Sequence, residues 1–151
     1  MSGIFNALNI SASGLTAQSL RMDLIAQNIA NVNTTRDENG NPYRRKTVVF
    51  EEKNENAFQY ALEMQGRRRA SETNGNGVKV TAIVEDHVTA MTKVYDPSHP
   101  DADEDGYVTY PNVNTVTEMT NLIDATRSYE ANVTAFNATK NMLLKGLELG
   151  K

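Results

Sequence analysis

TVTEMTNLIDATRSYEANVTAFNATKNMLLKGL, residues 115–147, decides the fold. Within it Met119, Leu122, Thr126, Tyr129, Val133, Phe136, Lys140, Leu143 and Leu147 recur at alternating steps of three and four. That spacing sets them along one side of an α-helix, the geometry of a coiled-coil seam. Thr115-Val116-Thr117-Glu118 reads as a capping box at the start. Asp124/Arg127 and Arg127/Glu130 are spaced to form local ion pairs.

The same rhythm returns at the other end of the chain. Phe5, Leu8, Ala12, Leu15, Ser19, Met22, Ala26 and Ile29 alternate large and small side chains along a helix expected over residues 3–33, with Ser2 as its N-cap. Small residues at Ala12, Ser19 and Ala26 would let a partner helix come close. The opposite face carries Asn6, Asn9, Ser13, Thr16 and Gln27, nearly all uncharged. A solvated helix would place Lys and Glu there, so both sides of this one are expected to touch protein. Two long helices from opposite ends must meet through the fold or through neighbouring copies.

Between them the pattern changes. Asn31 to Thr34 should end the first helix, and Asp37 to Pro42 reads as a turn. Tyr43 to Phe50 ends in the β-rich Thr47-Val48-Val49-Phe50, Phe58 to Met64 suits a short helix, and Asn74-Gly75-Asn76-Gly77 is turn chemistry. Val78 to Val84, Val88 to Tyr95 and Tyr107 to Tyr110 read as strands of a small antiparallel sheet. The expected fold class is α+β. Its parts are an N-terminal helical arm (1–35), a β-rich middle domain (36–110) and a C-terminal helical arm (111–151) pairing with the first.

Composition narrows the function classes. A net charge of −4 over 151 residues, with one dense basic run at Arg67-Arg68-Arg69, gives no positive footprint for nucleic acid. Cys is absent, which excludes thiolate catalysis, disulfides and Cys-held metals. No apolar run approaches the ~18 residues of a membrane span. The first basic residue is Arg21, and Asn and Ser interrupt the early apolar positions, so no cleaved leader is expected.

Candidate chemistry is sparse. Asp101-Ala-Asp103-Glu104-Asp105-Gly106 matches the first half of a calcium loop, but Asn112 stands where the bidentate Glu belongs and prolines flank the segment. It is expected to be an acidic turn. His87 and His99 have no nucleophile motif beside them, and Glu51/Glu52 and Glu85/Asp86 are sequence neighbours that a strand would point to opposite faces. No catalytic, cofactor-binding or metal-binding residue is expected, and the chain reads as a non-enzyme.

Ala30-Asn31-Val32-Asn33-Thr34, at the end of the long first helix, resembles the signature of bacterial flagellar axial proteins. Asn112-Val113-Asn114, Glu118-Met119 and Arg127-Ser128-Tyr129-Glu130-Ala131-Asn132-Val133 resemble the C-terminal helix of flagellar rod proteins. Pro42 to Lys46, Gly77 to Val80, and Val94 to Pro97 through Gly106 to Val108 are similar to the C-type proximal rod subunits, and the likeness spans the chain. After Thr34 the chain leads into Thr35-Arg36-Asp37 rather than a Pro-Gly turn, which implies a longer hinge.

The resemblance implies a structural subunit of the flagellar basal-body rod that polymerises through its terminal helices into the axial drive shaft. It implies export by the flagellar type III apparatus and a place in the cell envelope or periplasmic space. The implied partners are other rod subunits, copies of itself, and the export gate or MS-ring collar at the rod base, with no membrane insertion. The expected assembly interface is Phe5, Leu8, Leu15, Met22, Ile29, Asn31 and Asn33 on one arm. On the other it is Met119, Leu122, Tyr129, Val133, Phe136, Leu143 and Leu147. Two alternatives stay open here: another axial component (rod, hook or junction protein), or a soluble coiled-coil adaptor.

Overall fold

The computed structural model describes residues 2–37, 40–53 and 76–149. The short helix expected at Phe58–Met64, the Arg67–Arg69 run and the Asn74–Gly75 half of the turn lie outside the described residues. The elements run α1 (Ser2–Ala30), β1 (Lys46–Glu52), β2 (Val78–Glu85), β3 (Thr92–Tyr95), β4 (Tyr107–Tyr110) and α2 (Thr115–Leu149). The α+β class stands: two long helices with a small antiparallel middle.

The helices pack against each other along their length and run antiparallel. Gly14 of α1 faces Asn132 of α2, Met22 meets Thr126, and Asn28 meets Glu118. A Cβ on Gly14 would sit 2.8 Å from Asn132 Oδ1, so glycine is what lets the helices approach at that level. On this register the last turn of α2 runs past the start of α1.

The seam is not the one the heptads outlined. On α1 the buried residues are Ser11, Ala17, Leu24, Ile25 and Asn28, centred about 140° around the helix from the Phe5–Ile29 stripe. Ala12 and Ala26 are exposed, and Gly14 supplies the close approach instead. On α2, Leu122, Tyr129, Phe136 and Leu143 are half-buried as the stripe requires, but their alternate partners sit one residue earlier. Ala125 is buried where Thr126 is exposed, and Glu118 where Met119 is exposed. Glycine, alanine and a fully bonded carboxylate fit a narrow gap better than the larger apolar side chains do. The ion pairs expected at Asp124/Arg127 and Arg127/Glu130 do not form. Lys145–Glu148 is the i,i+3 pair seen on α2.

Among the described residues the middle forms two separate two-stranded sheets rather than one. β1 pairs antiparallel with β2 across a bulge at Val49/Phe50, and β3 pairs with β4. Residues 88–91, expected in a strand, are diverted by Asp86. Its carboxylate accepts from the backbone N–H groups of Val88 and Thr89, both at 2.9 Å, and from the Thr89 hydroxyl. Donors used in such a turn cannot serve a ladder. Between β3 and β4 the acidic loop folds on itself. Asp103 Oδ1 accepts from the Asp105 and Tyr107 amides, Gly106 adopts φ +80, and Tyr95 and Tyr107 pack edge to face.

The core is thin. Among the described residues Ala17, Leu24, Ile25, Val108 and Ala125 are the buried apolar set, against four buried polar residues, Ser11, Asn28, Asn112 and Glu118. Such a ratio puts the burden of holding the parts together on polar bonds.

Candidate assembly interface and its polar anchor

Helix α1 ends in the five-residue signature Ala30–Thr34. Asn31 donates both its backbone N–H, at 3.1 Å, and its side-chain amide, at 2.9 Å, to the Gln27 carbonyl, and its side-chain oxygen accepts from the Thr34 hydroxyl. Asn33 is exposed. Beyond it, Asp101 of the acidic loop takes a 2.7 Å hydrogen bond from Thr35 and an ion pair from Arg36. The residue read as the first calcium position therefore clamps the chain leaving α1.

At the same level sits a hub that sequence reasoning missed. Asn28, 0% exposed, makes four hydrogen bonds: its amide donates to the Lys46 carbonyl and Glu118 Oε2, and its oxygen accepts from the Tyr43 hydroxyl and the Lys46 amide. Glu118, 1% exposed, receives Arg45 through two guanidinium nitrogens at 2.9 and 2.8 Å. Arg45 passes its backbone amide to Asn112, whose own amide holds the Asp86 and Thr89 carbonyls. One network thus ties α1, the strand entry at Tyr43–Lys46, the end of β2 and the start of α2. Burial raises the Tyr43 phenol above the ordinary tyrosine range, helped by the carboxylates of Glu85 and Glu118.

Glu118 does not close the capping box that its spacing from Thr115 suggests. Instead Asn114 caps α2, accepting from the Thr117 amide at 3.1 Å, which frees Glu118 to face the hub. The signal for Asn28 was a poor helix former in mid-helix between Ile25 and Ile29. Ser13, on the amide-rich face of α1, docks the far end of the β1–β2 sheet by accepting from the Val78 amide. Gly77, at φ +99, lets that backbone lie against Ser13 and Ile10. Of the uncharged face of α1, Ser13 meets the middle segment, whereas Asn9, Thr16 and Gln27 are exposed in the single subunit.

The expected interface residues fall into two groups. Leu8, Leu15, Met22, Ile29, Leu122, Tyr129, Val133, Phe136 and Leu143 are already half-buried by the pairing of α1 with α2. Phe5 and Met119 (each 53% exposed) and Leu147 (58%) are open, and Val116, Ile123, Met142 and Leu144 join them. Apolar surface of this extent on both helices is what an interaction face looks like.

Comparison with known proteins identifies the family. A family model described as "Flagella basal body rod protein" matches residues 8–36, and one described as "Flagellar basal body rod FlgEFG protein C-terminal" matches residues 104–149. The chain is 50% identical over 151 residues to the flagellar basal-body rod protein FlgC of Bacillus subtilis, covering 97% of this chain and 98% of that one. The chain belongs to the FlgC family of flagellar basal-body rod proteins. Its likeness to the FlgC of Borreliella burgdorferi is 41% identity, covering 97% of each chain. To that of Salmonella typhimurium it is 38%, covering 98% of each. It is a structural subunit of the flagellar basal-body rod. The two matched regions hold α1 with its signature turn, and β4 with α2.

Proposed function

We propose that this FlgC-family chain enters the proximal rod by polymerising through its terminal helices, with residues 1–35 and 111–151 as the inner assembly arms and 36–110 as the outer part. The observation that carries this reading is the apolar surface left open on α1 and α2 beside a core of very few residues. A subunit that hides so little on its own gains stability by covering Phe5, Met119 and Leu147 with neighbours. Each large side chain so covered contributes roughly 1.5–3 kcal/mol. The neighbours are copies of this chain and other rod subunits, and at the rod base the MS-ring collar or export gate. The subunit reaches the periplasmic space through the type III exporter, and it catalyses no reaction.

The test is Met119→Asp and Phe5→Asp in a motile host lacking the native subunit. Both sites are open in the single subunit, so the purified variants should melt with the parent. In cells each should leave basal bodies that stop early and non-motile cells. Normal swimming by both variants would sink the reading.

A further inference from the structure

An open cavity beside α1 is lined by Arg21, Leu24 and Ile25 of α1, Arg45 to Val48 of the β1 entry, and Glu118 and Asn121 of α2. Three cations, Arg21, Arg45 and Lys46, meet one carboxylate there. Both oxygens of that carboxylate are engaged, Oε1 by Arg45 and Oε2 by Asn28. Lys46 rests its ammonium over the Tyr43 ring at 5.6 Å. Arg21 has no ion pair or hydrogen bond among the described residues. The cavity is therefore short of negative charge, and a guanidinium fork suits a carboxylate.

A carboxylate in the same condition lies on the far side of the same turn. Asp23 is exposed, has no partner among the described residues, and borders a shallow groove otherwise lined by Leu15, Thr16, Ser19, Leu20 and Tyr129. Two residues along an α-helix amount to about 3 Å of rise and about 200° of rotation. Arg21 and Asp23 thus stand at one level on opposite faces of α1. Complementary groups placed this way make a heterologous contact, in which one face of a subunit meets a different face of the next and the contact repeats.

We propose that Arg21 and its cavity receive Asp23 from a second copy of this chain, a lateral charge contact between adjacent subunits at the same level of the rod. The proposal rests on the polymerising reading above and adds to it which faces meet and in what register. The pair would select neighbour and stagger, while the apolar surface supplies most of the adhesion.

The experiment is charge reversal in the full chain in cells. Arg21→Glu and Asp23→Arg should each lower incorporation into basal bodies by about tenfold or more, since like charges then face each other. The double variant R21E/D23R restores the pair in reverse and should recover most of the loss. Because the chain has no Cys, Arg21→Cys and Asp23→Cys give a second readout. In assembled basal bodies a short bis-maleimide should join the doubly substituted chains into ladders of this subunit, and neither single variant should form them. Normal incorporation of both single reversals, no rescue in the double, or a cross-link to a different protein would overturn the proposal. Met119→Asp, run in parallel, separates the two ideas. If it blocks assembly while the reversals do nothing, the contact is wrong and polymerisation stands; if it too assembles normally, the underlying reading has failed.

Discussion

The two ends of the helix pair are built on opposite principles. Where α1 finishes and α2 begins, Asn28 and Glu118 are sealed in and every polar atom of the Asn28 side chain is bonded. Where α1 begins and α2 finishes, Phe5, Met142, Leu144 and Leu147 face outward with nothing on them. Midway, satisfaction already lapses, since Gln18 Oε1 is buried and accepts no hydrogen bond among the described residues. A buried polar cluster fixes one geometry at little net gain in stability, whereas open apolar surface gains only when something covers it. The subunit thus sets its own shape at one end, where Val116, Met119 and Ile123 nonetheless stay open on the outer side of α2, and leaves the other end to be completed.

The largest effect should come from breaking the closed end. Glu118→Ala strands the Arg45 guanidinium, whose side chain is only 25% exposed, and one donor of the buried Asn28. Removing one member of a buried ion pair costs about 3–5 kcal/mol, and urea unfolding of the purified chain should show a loss on that scale. Glu118→Gln keeps the shape and some of the bonds, so it should fall between. A loss below 1 kcal/mol for the alanine variant, on the order of a surface change, would mean that the two ends do not differ as claimed.

A smaller loss is expected midway. Gly14→Val places a branched side chain where even a Cβ meets Asn132 Oδ1 at 2.8 Å, and Asn132 is tethered to the Ser128 carbonyl. Overpacking of this kind costs about 1–3 kcal/mol, read as a lower urea midpoint at unchanged slope. A variant as stable as the parent would show that the helices are free to separate at that level.

The fold class, both long helices and the approximate positions of the four strands among the described residues were legible in the sequence, the start of β3 excepted, because they follow from periodicity and turn chemistry. What was not legible depended on partners far apart in the chain. The stripe of Phe5 to Ile29 is a real pattern, yet Gly14 and Ala125 admit closer packing on another face, and one-dimensional spacing does not weigh that. Glu118 matched a local motif that Asn114 in fact fulfils, and its distant partners Asn28 and Arg45 could not be seen from either position alone. Asp101 reads as part of an acidic turn, and its bonds to Thr35 and Arg36, more than sixty residues away, do not show in the local sequence.

The hub should also set a limit at alkaline pH. Tyr43 ionises above its usual 10.0 in the fold, through burial first and then Glu85 and Glu118, and its hydroxyl donates to Asn28. The unfolded chain loses that proton earlier. The stability Tyr43 contributes is therefore complete below about pH 10 and disappears as pH rises through the folded value. Melting temperature measured across this window should fall more steeply for the parent than for Tyr43→Phe. Parallel curves would separate Tyr43 from the closed end.

The smallest effect on the single subunit should come from the open end. Leu147 is 58% exposed on the seam side of α2, beyond the start of α1, so it has little burial to lose. Leu147→Ser should change urea stability of the purified chain by no more than about 0.5 kcal/mol, the range of ordinary surface substitutions. A larger loss would mean that α2 folds its last turn onto the subunit itself and that the end is closed. Under the polymerising reading the same change should still weaken incorporation into basal bodies, because the contact it removes is made only with a neighbour. A residue that is silent in the isolated chain and costly in the rod is the outcome that the difference between the two ends requires.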